Sequence, residues 1–296
     1  MIRVAFIGLG TMGGPMSRNV AEAGFPLLLH DADTELARRL ADEYGAKAVE
    51  SSEDFADIDC VVTMLPTSAH VAAALTGSEH RRSIAEVLPD GAVVVEMSSS
   101  NPLETVELST TLSHHGVRLV DAPVSGAVER ARSGTLSIML GADDEEAASV
   151  ALSVLDAMSE RVFRTGGIGT GHTMKALNNF VAAAAYTAAS EALIAGAQRG
   201  LDSQLMVDIL DASTGQSFVT SNVLGPHVVQ QQHASGFSLP LMTKDVGIAL
   251  EVTRDALGDA PVCEAVQGRL ADALEALGAV DHTEAFEHWR QRASSR

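Results

Sequence analysis

Cysteine and positive charge are both scarce in this chain of 296 residues. Only Cys60 and Cys263 occur, which excludes a disulfide framework and suits a reducing compartment. Lys and Arg number 20 against 39 Asp and Glu, which gives a net charge of −19 and a pI near 4.8. Nucleic acids and anionic membrane surfaces repel such a chain, so we expect neither as a partner. An anionic ligand would need locally placed donors.

The chain also lacks an uninterrupted apolar run of membrane-spanning length. Its hydrophobic content of 46% and mean hydropathy of +0.14 exclude disorder, and its length is sufficient for two domains. The N-terminal run Met1–Ile7 enters a strand pattern directly, which predicts no cleavable signal. The longest apolar stretch, Phe180–Ala197, is interrupted by Tyr186, Thr187, Ser190 and Glu191. We therefore expect a soluble, cytoplasmic protein.

The first motif is a glycine-rich turn between a strand and a helix. An apolar run rich in β-branched residues, Ile2–Ile7, leads into Gly8-Leu-Gly10-Thr-Met-Gly13, and a helical pattern follows up to Gly24. In this setting the glycines permit a tight turn and the close approach of a pyrophosphate to the helix N-terminus. A second strand, Leu27–Leu29, then leads to Asp31, which is suited to bind ribose hydroxyls and to repel a 2′-phosphate. This pattern predicts NAD rather than NADP.

Further strands alternate with helices, which indicates a parallel, doubly wound sheet. Ligands of such sheets bind beyond the carboxyl ends of the strands, so Thr67, Ser99 and Ser125 are expected to line one edge. Ser99 and Asn101 have an equally good alternative role, as caps of a helix that starts at Pro102. The strands are expected at Cys60–Leu65, Ala92–Met97, Val117–Val120, Leu136–Leu140 and Arg161–Arg164, with helices at Asp33–Tyr44 and Pro102–His114.

Beyond Thr165 the strand signals disappear and the pattern becomes helical. We therefore predict an α/β protein with an N-terminal Rossmann-type dinucleotide-binding domain, residues 1–164. An all-helical domain, residues 165–296, would follow it and hold the substrate and the subunit contacts. Its helices are expected at about 172–199, 203–214, 217–232, 241–257 and 261–278, followed by a short tail.

Two lysines near helix starts need an explanation. Lys175 and Asn179 are four residues apart, so their side chains share one face of a largely apolar helix. Lys175 either extends to solvent from the helix end or is a catalytic amine with a lowered pKa. Lys244, before Asp245, also lies near a helix start, where a cation is disfavoured. Taken alone, Lys244 is best interpreted as an exposed lysine.

Several motifs together resemble the β-hydroxyacid dehydrogenase family, which includes 3-hydroxyisobutyrate dehydrogenases and tartronate semialdehyde reductases. They occur in the family's order across nearly the whole chain. The matching motifs are Gly8-x-Gly10-x-Met12-Gly13-x-x-Met16, Asp121-Ala-Pro-Val-Ser125-Gly126, Gly134-Thr-Leu136, Gly169-x-Gly171-x-x-x-Lys175-x-x-x-Asn179 and Lys244-Asp245.

The resemblance implies roles for individual residues and a homodimer or homotetramer. Lys175 would be the acid/base and Asn179 would orient the substrate. The substrate, a small anionic hydroxy acid, would be bound by Ser125, Gly126, Ala127 and Asn178. The residues expected to bind NAD are Gly8, Leu9, Gly10, Thr11, Met12, Gly13, Asp31, Leu65, Pro66, Ser99 and Lys244.

The chain departs from the family pattern at two positions. Ala127 replaces the usual second glycine and adds a methyl group beside the substrate, which leaves the identity of the substrate open. Ser99 stands where the family often has Thr, which keeps the hydroxyl. Neither change alters the expected chemistry, which is hydride transfer between a β-hydroxy acid, such as 3-hydroxyisobutyrate, and its semialdehyde.

The sequence disfavours three other functions. An NADPH-dependent reductase of glyoxylate or succinic semialdehyde is disfavoured by Asp31. Imine reductases share the architecture, but the resemblance implies that they generally lack a catalytic lysine, which this chain has as Lys175. A non-catalytic binding module would be expected to have lost this lysine or the glycine turn. No metal site is predicted, because His114 and His115 are adjacent and the remaining histidines lack ligand spacing.

Overall fold

In the computed structural model, which describes residues 1–77 and 83–294, the N-terminal half is built on a nine-stranded sheet. The strand order is β3-β2-β1-β4-β5-β6-β8-β7, with β9 pairing with β8. The strands are β1 Val4–Ile7, β2 Leu27–His30, β3 Lys47–Ala48, β4 Cys60–Thr63, β5 Val93–Glu96, β6 Arg118–Asp121, β7 Val124–Ser125, β8 Leu136–Gly141 and β9 Ser159–Gly166.

Helices cover both faces of this sheet. Successive side chains of a strand point to opposite sides, so one strand can contribute to two cores. Val4 and Phe6 of β1 lie in one apolar core, whereas Ala5 and Ile7 lie in another. Helices α1, α2, α5 and α6 contribute to the first core, and α3 and α4 contribute to the second. These helices are α1 Gly13–Glu22, α2 Thr34–Tyr44, α3 Ser68–Thr76, α4 Pro102–Ser113, α5 Ala127–Ser133 and α6 Glu145–Leu155.

The sheet differs from the prediction in two respects, because it is not wholly parallel and it includes the short strands β3 and β7, which were not predicted. Strands β1 to β6 run parallel, but β8 is antiparallel to both β6 and β7. The chain between β7 and β8, residues 126–135, is too short for the crossover that a parallel pair needs, about a dozen residues. The two strands therefore pair antiparallel across the short helix α5.

The chain forms two compact units, Met1–Lys175 and Ala176–Arg296. The domain boundary predicted between residues 164 and 165 marks where strand signals end, and it stays a prediction. The second unit has its own core, which includes Tyr186, Leu270 and Trp289. The helices of the C-terminal half are α7 Thr170–Gln198, α8 Ser203–Asp211, α9 Leu239–Leu257, α10 Pro261–Leu277 and α11 Ala285–Ser294.

One predicted helix has an unusual form. The segment expected to be helical over 217–232 is a π-helix over Thr220–Val229, with Pro226 inside it. A proline has no N–H to donate and its ring clashes with the preceding turn of an α-helix, so Pro226 disfavours a regular α-helix in this segment.

Helix α7 is the longest helix of the described chain, with 29 residues. By length and composition alone it could cross a membrane, with a mean hydropathy of 1.4 over its best window, of which 39% is buried. Core helices of soluble proteins meet the same criterion. Tyr186 and Ser190, two of the residues that interrupt its apolar run, are fully buried in the structure.

Candidate active site

The glycine turn lies where the strand order of the sheet reverses. β1 has β2 on one side and β4 on the other, so the loops after β1 and β4 leave the sheet side by side. Gly8 has a φ of +95°, and a Cβ there would overlap the carbonyl oxygen of Met64. A Cβ at Gly13 would overlap the carbonyl oxygen of Gly8. Both positions require glycine, and this reversal point is where open α/β sheets bind ligands.

Gly10 has no such packing reason to be glycine. A Cβ at this position would meet no protein atom within 4 Å. Helix α1 begins beside it with no side-chain cap from Met12 and with no acidic residue in its first turn. A helix start of this kind presents N–H groups and a partial positive charge to an anion. The turn, which Thr11 completes, therefore fits the pyrophosphate of a dinucleotide.

Asp31 follows β2, and its carboxylate reaches back to the glycine turn. Its Oδ2 accepts the N–H of Leu9 at 2.7 Å, and its Oδ1 accepts the N–H of Asp33 at 2.9 Å. Each oxygen keeps a lone pair for a further donor. A carboxylate fixed at this edge of the sheet fits the ribose hydroxyls of a dinucleotide.

Leu65 and Pro66 lie in the loop after β4, next to the glycine turn. The N–H of Leu65 donates to Oγ of Ser98 at 2.9 Å, which joins this loop to the one after β5. Ser99 follows in that second loop and is half-buried. Asn101 is the residue that caps α4, through its side-chain oxygen. The capping alternative therefore holds for Asn101.

Ser125, Gly126 and Ala127 connect β7 to α5. Ser125 was expected after a parallel strand, but it is part of the antiparallel strand β7, where it pairs with Ser137. Ala127 has a φ of +55°. A left-handed backbone costs a residue other than glycine about 1–2 kcal/mol. The glycine that the family usually has at this position suits the backbone better than Ala127 does.

Lys175 and Asn179 lie on α7, one turn apart as predicted. The side chain of Asn179 is held by Asp245, the residue after Lys244. The side-chain nitrogen of Asn179 donates to Oδ2 of Asp245 at 2.6 Å. Nζ of Lys244 lies 3.1 Å from the other oxygen of Asp245, which is buried. Asn178 donates to Oδ1 of Asn179 at 3.3 Å. The second unit thus brings three of the predicted site residues together around Asp245.

A buried charged cluster lies at the carboxyl ends of β5 and β6. Glu96 and Asp121 end these strands and are register partners, and His172 of α7 lies against both. Burial lowers the pKa of His172, but the charges of Glu96 and Asp121 outweigh burial and hold it above the ordinary value. Burial raises the pKa of Glu96, and the His172 cation more than offsets this and keeps that pKa below its ordinary value.

Sequence reasoning did not assign roles to Asp245, Glu96, Asp121 or His172. A usable signal was present, since Glu96 and Asp121 are acids placed directly after the apolar runs of neighbouring strands. Within residues 1–77 and 83–294, no three His, Cys, Asp or Glu side chains are arranged to hold a metal ion.

A glycine turn shaped for a pyrophosphate, with a carboxylate beside it for ribose, defines a Rossmann-type NAD(P)-binding protein. Two family models match the chain in succession. The first is the NAD-binding domain of 6-phosphogluconate dehydrogenase, over residues 3–167. The second is the NAD-binding domain of NADP-dependent 3-hydroxyisobutyrate dehydrogenase, over residues 169–289. The chain belongs to the 3-hydroxyisobutyrate dehydrogenase family and is an NAD(P)-binding β-hydroxyacid dehydrogenase.

Individual relatives agree with this assignment. The mitochondrial 3-hydroxyisobutyrate dehydrogenase of Bos taurus is 34% identical over 253 residues, covering 83% of this chain and 74% of the relative. An NAD-dependent L-serine dehydrogenase of Pseudomonas aeruginosa is 31% identical over 88% of this chain and 89% of its own. The structure of Mycobacterium tuberculosis 3-hydroxyisobutyrate dehydrogenase with L-serine is 28% identical, with a TM-score of 0.88 over 98% of this chain and 99% of that one. The predicted family and fold are confirmed.

Proposed function

We propose that this chain is an NAD-dependent oxidoreductase that interconverts a small β-hydroxy acid of the 3-hydroxyisobutyrate type and its semialdehyde. The main observation in support is the pairing of Lys175 and Asn179 on one helix, with Asn179 held by the buried Asp245. A lysine beside a fixed amide suits the transfer of a proton to or from a hydroxyl.

The choice of NAD is supported by the fixed carboxylate of Asp31. It accepts an N–H from the glycine turn, and Asp33 follows two residues later. Two carboxylates would repel a 2′-phosphate, whereas the hydroxyls of an unmodified ribose can donate to Asp31. The Pseudomonas aeruginosa relative is NAD-dependent by name.

The proposed proton transfer uses the amine of Lys175. A bound nicotinamide ring would accept or return the hydride. In the oxidising direction, the neutral amine of Lys175 removes the hydroxyl proton of the substrate; in the reducing direction, the ammonium group returns it to the forming alkoxide. A free lysine titrates near pH 10.4, so the site has to lower the pKa of Lys175 for it to act as a base near neutrality. Asn179 orients the substrate through the amide N–H that Asp245 leaves available.

One set of kinetic measurements tests this proposal. The wild-type protein is assayed with NAD and with NADP on 3-hydroxyisobutyrate, D- and L-glycerate, serine, L-threonate and 3-hydroxypropionate, and Lys175→Ala is assayed on the best substrate. We expect a clear preference for NAD, and a fall in kcat of roughly 10²–10⁴-fold in Lys175→Ala, the usual range for loss of a general acid or base.

The control is Lys47→Ala, which removes an exposed lysine paired with Asp54 at the surface. Its kcat should equal that of the wild type, and both variants should keep the NADH affinity measured by fluorescence titration. A kcat near the wild-type value in Lys175→Ala would refute the role of this lysine. A clear preference for NADP would refute the interpretation of Asp31 and favour the alternative, an NADPH-dependent semialdehyde reductase.

A further inference from the structure

The buried cluster of Glu96, Asp121 and His172 has no part in the proton transfer described above. All three side chains are at most 1% exposed. Charged groups are rarely buried so completely unless they are paired and hydrogen-bonded. The contacts within the cluster define both its charge and its connections.

The contacts of the His172 ring fit a doubly protonated imidazolium. Its Nε2 lies 2.6 Å from Oε2 of Glu96 and 3.1 Å from the carbonyl oxygen of Ser98, and both of these atoms are acceptors. Its Nδ1 lies 2.9 Å from Oγ1 of Thr105, whose own hydrogen is donated to the carbonyl oxygen of Asn101. With the Thr105 hydrogen directed at Asn101, both ring nitrogens face acceptors, and an imidazolium satisfies these contacts by donating from both.

The carboxylate of Asp121 binds the backbone at the start of α7, the helix that contains His172. Its Oδ1 accepts the N–H of Gly169 at 2.7 Å, and its Oδ2 accepts the N–H of His172 at 2.8 Å. The first turn of α7 is thus capped by a side chain from the end of β6. Gly171 leaves room for this approach, because a Cβ there would collide with Asp121. The start of α7 is attached to the sheet by two carboxylates.

The cluster also reaches the loop that is predicted to border the cofactor. The N–H of Ser98 donates to Oε1 of Glu96 at 2.9 Å, and Oγ of Ser98 accepts the N–H of Leu65. Lys175 is three residues after His172, so the two side chains are neighbours on the helix surface. One network therefore joins the Leu65 loop, two strand ends and the helical turn that precedes Lys175.

We propose that His172 is a positioning residue, which as an imidazolium held by Glu96 and Asp121 fixes the first turn of α7 and with it the amine of Lys175. This inference rests on the proposed role of Lys175. His172 acts on the position of the Lys175 amine. A displacement of about 1 Å at a reacting group can cost roughly 10²-fold in rate.

The test is a double-mutant cycle with Lys175→Ala. His172→Asn removes the imidazole, and the milder Thr105→Val removes the hydroxyl that contacts Nδ1 and Asn101 while keeping the shape and charge of the cluster. We expect His172→Asn to lower kcat by up to roughly 10²-fold and Thr105→Val by less, with unchanged affinity for NADH. In the Lys175→Ala background neither change should lower the residual kcat further, because residues that act as a unit are non-additive.

The matched control is His282→Asn, which removes another buried histidine, located in the second unit and 4% exposed. It should lower the melting temperature and leave kcat unchanged. Equal factors in both backgrounds, or an unchanged kcat in both Thr105→Val and His172→Asn, would overturn the inference while leaving the proposed function intact. If Lys175→Ala itself kept wild-type turnover, both the proposed function and this inference would fall.

Discussion

The two units of this protein hold their candidate functional groups by different means. In the first unit the nucleotide turn is defined by backbone, since Gly8 and Gly13 lack room for any side chain. In the second unit Asn179 is held by side-chain contacts, chiefly that with Asp245 on the neighbouring helix. Backbone turns suit a ligand that all members of a family bind in the same way, whereas side chains on helix faces are free to vary with the substrate.

Two buried histidines show the same contrast in electrostatics. His172, in the first unit, lies between Glu96 and Asp121, whose charges raise its pKa above the ordinary value. His282, in the second unit, packs edge-on against Tyr186, with ring centroids 4.9 Å apart, and its Nδ1 lies 2.9 Å from the carbonyl oxygen of Phe237. Burial lowers the pKa of His282, and the contact with Phe237 only partly opposes this. Similar burial therefore accompanies pKa shifts in opposite directions, according to the neighbours.

The largest effect is expected at the glycine turn. Gly13→Ala forces the new Cβ into the carbonyl oxygen of Gly8, so we expect NADH affinity to fall by at least ~100-fold and stability to fall by several kcal/mol. Gly10→Ala has open space around it and should leave the melting temperature of the free protein unchanged, while the methyl group obstructs the pyrophosphate and lowers affinity by ~10-fold or more.

Fluorescence titration and thermal unfolding of both variants distinguish a glycine required for protein packing from a glycine required for dinucleotide binding. Unchanged NADH affinity in Gly10→Ala would show that the dinucleotide does not approach this turn. Equal losses of stability in both variants would show that the open space at Gly10 is not what distinguishes it from Gly13.

The first unit was largely predictable from the sequence, because its signals are local. A strand, a glycine turn, a helix and an acid in order specify a nucleotide site, since each step follows from the chemistry of adjacent residues. Strand β8 was predicted, but its antiparallel direction was not, because the direction depends on the length of the connection 126–135 and not on any motif.

The contacts between distant residues were not predictable. His172 lies inside a motif that the sequence made prominent, yet its partners Glu96 and Asp121 come from two other strands. Asp245 was recognised only as part of a pair with Lys244, and its contact with Asn179 depends on how α7 packs against α9. Side-chain partners far apart in sequence require the fold before they can be paired.

An intermediate effect is expected from Asp245→Asn. The change removes the charge from the hydrogen bond to Asn179, and such bonds contribute about 1.5–3 kcal/mol against about 1 kcal/mol for neutral ones. We expect kcat to fall roughly tenfold, as a loss of about 1.4 kcal/mol would give, with NADH affinity unchanged because the glycine turn is intact.

The control is Asp281→Asn, in a second aspartate of the same unit, which binds Ser235 and Thr283 and only joins two loops. It should lower the melting temperature without lowering kcat. A weaker NADH affinity in Asp245→Asn at constant kcat would contradict the division of roles between the two units.

The smallest effect concerns pH and the two histidines. A histidine side chain in the unfolded protein titrates near pH 6.5. The raised pKa of His172 gives stability that is complete below about pH 6.5 and is lost as pH rises through its folded value. The lowered pKa of His282 gives the opposite dependence, with stability present above about pH 6.5 and lost as pH falls.

Melting temperatures from pH 5 to pH 9 test these signs. Toward acid pH, the melting temperature of His282→Asn should fall less than that of the wild type. Toward alkaline pH, the melting temperature of His172→Asn should fall less than that of the wild type. Each unit of pKa shift is worth about 1.4 kcal/mol, which corresponds to a few degrees in a protein of this size. If both variants changed the same limb of the profile, the two histidines would have the same charge, and the electrostatic contrast between the units would be wrong.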